Sequence, residues 1–250
     1  WDHYGLTSDE AEKAGMNSKM FNSFLDGTKS SLEMSAIANA SGLNVPTNGL
    51  LFPPCGMDDL ASFLKEKNKG GILEKSEQVE VVSSLERDGS PVFKDLRWGV
   101  YAVLQAPNEY AASCFKQYGM NTDQSGEFSA MYKPFHLIGM ELNTSIFSAA
   151  LLKLPTGQTK YFKGDVVSIS KRNLKKGEKL DGEGGFTVWG KLIPANTSLK
   201  LKALPIGLAS DMYLKHDIDR DNIITWNDVE FDSNDEIISY RHQMENKFRN

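Results

Sequence analysis

Two short stretches of the 250-residue chain carry side chains whose types and spacing suit acid–base chemistry on a small substrate. In the first, Asp26, Lys29, Ser30, Glu33 and Ile37 follow one another at three- and four-residue steps, so on a helix they share a face. A carboxylate, an ammonium and a second carboxylate on such a face can orient a substrate hydroxyl or carbonyl, and a Lys whose pKa is lowered by burial can donate the proton. The same spacing also describes a solvated stripe in which Asp26 pairs with Lys29 and Lys29 with Glu33. In the second stretch, Tyr132-Lys133-Pro134-Phe135-His136 joins the side chain that titrates near neutrality unaided to an ammonium suited to an anion. The plainer alternative is a helix entry, with Pro134 in the first turn and His136 satisfied by a backbone carbonyl.

Other groups are chemically less committed. Glu86-Arg87-Asp88 and Arg97 offer guanidinium groups to a phosphate or carboxylate, although charged turn residues are ordinarily just solvated. Cys55 follows two prolines and Cys114 lies in a helical stretch; neither has a base beside it, and both read as small packed side chains. Hard divalent cations take carboxylates, and Asp26, Glu33, Asp58, Asp59, Glu109, Asp123 and Glu141 are available, but their spacing selects no ligand pair.

The elements that must position these groups follow from periodicity and punctuation. Phe21, Phe24, Leu25, Thr28 and Leu32 predict one helix between Gly15 and Gly42, capped by Ser18. The prolines between Val45 and Gly56 enforce a loop, after which Asp58 opens a short helix over Leu60 to Lys67. Gln78 to Ser84 and Gly99 to Gln105 read as strands around the turn Arg87 to Pro91. Asn108 to Tyr118 reads as a helix, and so does Lys133 to Leu152, whose apolar coat predicts burial. Beyond Pro155 the pattern changes to short strands, and Ile169–Leu180 is echoed by Leu214–Ile224, which predicts a small all-β unit from Lys160 to Phe231. A charged helix, Asp235 to Phe248, closes the chain. The expected fold class is therefore α+β, divided as residues 1–155, 156–232 and 233–250.

Composition narrows the function. With 28 Lys+Arg against 33 Asp+Glu the net charge is −5, without the basic excess that nucleic-acid backbones demand. Apolar runs fall far short of the roughly 20 residues that span a bilayer, and no basic-then-apolar leader opens the sequence. Two cysteines are too few for a disulfide framework and fit a reducing, cytoplasmic setting. The expected partner is a small-molecule substrate, with neither nucleic acid nor membrane. Phe147, Leu151 and Leu152 extend the apolar helix beyond what one face needs, which predicts a homo-oligomer. The chain opens on Trp1 rather than Met and reads as the C-terminal part of something longer.

The repeat, closed by Trp226-Asn227-Asp228-Val229, resembles the SAF (β-clip) domain. The strings Gly15 to Ser30, Phe52-Pro53-Pro54-Cys55-Gly56, Gly99-Val100-Tyr101, Tyr132 to Leu137 and Gly182-Glu183-Gly184-Gly185 resemble the C-terminal portion of homoserine-dehydrogenase-like NAD(P)-dependent oxidoreductases that end in a SAF domain. One branch of that family is the 1-deoxy-D-xylulose 5-phosphate reductoisomerase-like enzymes. The resemblance implies an oxidoreductase using NADP or NAD on a small hydroxylated, phosphorylated or carboxylated substrate, with a Rossmann domain upstream of Trp1; the reductoisomerase branch adds Mg or Mn as Lewis acid. It also places the Asp26-Gly27-Thr28-Lys29 segment beside the substrate. In that frame Lys29 and His136 protonate the reacting oxygen, Asp26 and Glu33 orient Lys29 or a metal, and Lys133 and Arg97 bind the substrate anion. No GxGxxG occurs; the nearest string, Gly182 to Gly190, lacks a following helix. Two alternatives from other classes are a sugar-acid lyase or dehydratase carrying a SAF module and a non-catalytic SAF binding module; two thiols are too few for the iron–sulfur cluster of a lyase.

Overall fold

The computed structural model describes residues 7–97 and 99–249; Trp1 and His3 lie outside them. Two compact units are present, residues 1–50 with 161–250 and residues 51–160. This division differs from the contiguous one expected, because the N-terminal helices pack on strands that follow residue 160 rather than on the residues that come next in sequence.

Helix α1 (Ser8–Lys13) begins with a capping box between Thr7 and Glu10. Helices α2 (Ser18–Leu25) and α3 (Thr28–Ser41) replace the single helix expected between Gly15 and Gly42. The break falls at Asp26-Gly27, where Gly27 adopts φ +81°, a left-handed conformation that glycine enters without Cβ strain.

The 51–160 unit starts with α4 (Leu60–Phe63), shorter than the helix expected to Lys67. Strand β1 (Val100–Gln105), helix α5 (Glu109–Gln117), strand β2 (Asn121–Thr122) and strand β3 (Phe128–Lys133) follow, forming an antiparallel sheet in the order β1-β3-β2. Its core is Cys55, Leu60, Leu64, Leu73 and Leu96, against which Tyr101, Val103, Ala130 and Tyr132 of the sheet pack. Residues 78–84 form no strand. Only isolated bridge residues occur there, Gln78 and Ser83, and Ser83 pairs with Pro54; the neighbouring prolines have no N–H with which to continue a ladder. The helix expected from Lys133 is also shortened: β3 runs to Lys133, a turn follows, and α6 (Leu142–Phe147) continues as a π turn over Ser148–Leu152. Contrary to the burial expected from its composition, α6 and this turn contain no buried residue.

In the first unit, β4 (Gly164–Ser170) and β6 (Val188–Pro194) pair antiparallel in full register, and β5 (Lys179–Asp181), β7 (Ser210–Leu214) and β8 (Val229–Glu230) form a second sheet in the order β5-β7-β8. The two copies of the sequence repeat lie against each other, with Leu174 and Ile218 exchanging both backbone hydrogen bonds. Helix α3 covers β4 and β6. The buried Thr28 hydroxyl accepts the Gly190 N–H at 2.8 Å, and Asn39 Oδ1 accepts the amides of Lys163 and Gly164 at 2.7 and 3.0 Å. Helices α7 (Ala195–Leu201) and α8 (Glu236–Phe248) complete this unit. No helix among the described residues is long and apolar enough to cross a membrane.

Candidate functional site

The residues singled out on the first helix fall into two groups. Lys29 and Glu33 form an i,i+4 ion pair at 3.1 Å on the flank of α3. Asp26 does not join them. It sits in the joint between α2 and α3, where one oxygen accepts the Thr28 N–H at 2.9 Å and the other meets the Lys171 ammonium at 2.7 Å. Lys171 also donates to the Gly185 carbonyl at 2.6 Å, so Asp26 ties the helical joint to the glycine turn between β5 and β6. Burial, local geometry and ion pairing give these residues a structural account.

The second stretch gathers differently. β3 delivers Lys133 to its end, opposite Val100 at the start of β1. Pro134 interrupts the ladder, and Gly139 at φ +84° turns the chain back, so that Glu141 N donates to the Leu137 carbonyl at 3.0 Å. This return places the Glu141 carboxylate at the centre of the turn. One oxygen accepts from Lys133 Nζ; the other accepts the Leu137 N–H at 2.9 Å and lies 3.4 Å from His136 Nδ1. The Lys133 hydrogen bond, then the Leu137 amide, hold the Glu141 pKa below the ordinary glutamate value against a small opposing effect of burial. Lys133 Nζ also rests 4.7 Å from the centre of the Phe135 ring. His136 makes no geometric hydrogen bond among the described residues beyond this Nδ1 approach, and half of its side chain is exposed.

Sequence reasoning found Lys133 and His136 but placed Glu141 only among possible metal ligands. No periodicity joins Glu141 to residues five and eight positions earlier; the one available signal was Gly139, which permits the reversal.

The remaining candidates have other employment. Arg97 turns back on Asp95 at 3.3 Å and is not part of the Lys133 cluster. Arg87 Nη2 donates to the carbonyls of Leu51 and Phe52, both at 3.1 Å, while Glu80 Oε1 accepts the N–H groups of Leu51, Phe52 and Val81. Together they clamp a loop in which Phe52 adopts φ +48°. Burial, then the charge of Asp59, pushes the Cys55 thiol up to about 11, which suppresses the nucleophilic thiolate. Among the described residues no three His, Cys, Asp or Glu side chains converge on a metal position.

A model of the family described as oxidoreductase DRL, catalytic domain, matches residues 2–142. The chain belongs to this family. The match includes the whole Lys133–Glu141 turn. A search of the curated proteins returns no match.

A dinucleotide does not fit the Gly182–Gly190 segment of this DRL chain. The segment joins two strands, whereas a pyrophosphate site requires a turn that opens a helix. The turn is also occupied: a Cβ at Gly184 would lie 1.9 Å from the Lys19 carbonyl oxygen, and Asn22 Nδ2 donates to the Gly184 carbonyl at 2.9 Å.

Proposed function

We propose that the chain is the substrate-handling part of an NAD(P)-dependent oxidoreductase acting on a small hydroxylated compound that carries a phosphate or carboxylate. The observation that carries this reading is the Lys133–Glu141–His136 cluster inside the span matched by the oxidoreductase family. Oxidising an alcohol releases the proton of its oxygen, and reducing a carbonyl requires one. In this reading His136, half exposed beside Glu141, takes or returns that proton through Nε2. Lys133 supplies a positive charge beside it, on a side chain already held over the Phe135 ring.

The resemblance at Tyr132 to Leu137 favours a reductoisomerase-like reaction of the 1-deoxy-D-xylulose 5-phosphate type within this class, since such a substrate offers a phosphate to Lys133 and a reacting oxygen to His136. That branch brings a metal, for which the described residues gather no ligand set. The exposed apolar side chains of α6 and its π turn, Phe147, Leu151 and Leu152 among them, support the homo-oligomer expected from sequence.

The test is NADPH consumption by the protein carrying this chain, with 1-deoxy-D-xylulose 5-phosphate and a panel of hydroxy acids and sugar phosphates. His136→Asn is expected to lower kcat by about 10²- to 10⁴-fold, the usual range for a lost general acid–base, with an unchanged circular dichroism spectrum. Unchanged turnover in His136→Asn overturns the reading.

A further inference from the structure

The Glu141 carboxylate is shared. One oxygen serves the Lys133 ammonium; the other serves the Leu137 amide and faces the imidazole of His136. The Leu137 bond is made within the turn and needs no ligand, so it anchors the carboxylate whatever happens at the other partners. The Lys133 bond is different in kind. Its ammonium is nearly half exposed and carries three donors, so an incoming anion competes directly with Glu141 for it. The charged groups the structure places around His136 are Glu141 itself and, through Glu141, Lys133.

We propose that Glu141 is a positioning residue that couples anion binding to proton transfer: an anionic group of the substrate docking on Lys133 loosens that lysine's hold on Glu141, whose carboxylate then binds His136 Nδ1–H more tightly. This rests on the reading of His136 as proton carrier and deepens it by naming what aims the ring. A carboxylate on Nδ1–H fixes the tautomer with a bare Nε2, the form that accepts a substrate proton, and stabilises the imidazolium once the proton has arrived. The coupling favours substrates whose anion and reacting oxygen belong to one molecule. A neutral alcohol would find the histidine less firmly held.

The test uses nitrogen-15 NMR of His136 in the whole chain, with inorganic phosphate as the probe. The wild type is expected to show the Nδ1–H tautomer, and phosphate is expected to move the Nδ1 proton downfield in a saturable titration as its hydrogen bond shortens. Lys133→Met should abolish the phosphate response while retaining the tautomer. Glu141→Gln should abolish both, and Glu141→Asp should restore part of the response, which a merely structural knot in the turn would not require. In turnover, Glu141→Gln should lower kcat about tenfold or more with KM little changed, whereas Lys133→Met should raise KM. Phosphate shifts of equal size in wild type and Glu141→Gln, or no saturable response in wild type, overturn the coupling. These outcomes are separable from failure of the parent reading, which is decided by His136→Asn alone.

Discussion

Replacing Arg241 with Met tests how the C-terminal helix is held to its unit. The Arg241 fork meets Asp165 with Nη1 at 3.2 Å and Nη2 at 2.5 Å, and its Nε meets Glu245 at 2.8 Å. Both acids are buried, at 5% and 2% exposed. Burial works against the charged Arg241, but the Asp165 and Glu245 carboxylates outweigh it and raise its pKa further. Methionine keeps an apolar side chain at this position and removes the fork, including the guanidinium carbon that lies 5.6 Å from the centre of the Phe162 ring. Asp165 would then retain only the Ser198 hydroxyl at 2.6 Å, while Glu245 would keep Trp226 Nε1 at 3.2 Å and Arg249 at 3.3 Å. Asp165 is thus the group left short, and breaking such a pair from one side costs about 3–5 kcal/mol. Against a typical total stability of about 5–15 kcal/mol this is a large fraction. Equilibrium urea unfolding followed by fluorescence and circular dichroism should show the midpoint falling by more than about 1 M, given slopes of about 1–3 kcal/mol per M. Adding Asp165→Leu should recover part of the loss, because the stranded charge is removed with its partner. A loss below about 1 kcal/mol for Arg241→Met, or a double variant less stable than the single one by the full cost of a second independent lesion, refutes the reasoning.

Glu80→Gln should change the pH dependence of stability. Burial, the largest influence, raises the Glu80 pKa against the lowering effect of the Val81, Leu51 and Phe52 amides. A carboxyl whose folded pKa exceeds its unfolded value adds a penalty that is absent below the ordinary glutamate range and grows as pH rises to the folded value, by about 1.4 kcal/mol for each tenfold difference in proton affinity between the two states. Gln keeps an oxygen for the three amides, so wild type should lose stability relative to Glu80→Gln as pH rises above the ordinary glutamate range in urea titrations; a pH-independent difference refutes this. Thr28→Val should cost about 1–3 kcal/mol by stranding the buried Gly190 N–H, whereas Thr28→Ser should keep that bond. Equal urea midpoints for Thr28→Val and wild type would sink the assignment.

The elements legible in the sequence are those whose signals are local. β1 and α5 stand where the strand read over Gly99 to Gln105 and the helix read over Asn108 to Tyr118 place them, because each depends on neighbours within a few residues. The misread elements depended on distant chain. Val79, Val81 and Val82 look like a strand, yet the backbone available to pair with them contains Pro53 and Pro54, which cannot donate. The apolar coat of Leu142 to Leu152 shows that a surface wants cover without saying what provides it. Charge pairing is less local still. Asp26 stands three residues from Lys29, but the break at Gly27 turns it away and Lys171, from the far end of the same unit, takes its place. Residue types therefore nominated two candidate stretches, and backbone reversal rearranged the charged groups of both. At Gly27 it dispersed a carboxylate–lysine–carboxylate stripe, and at Gly139 it assembled a lysine–carboxylate–histidine cluster that no spacing rule describes. Gly27 lies one residue from Asp26 and Gly139 two from Glu141, and at each a positive φ decides which side chains the carboxylate can reach.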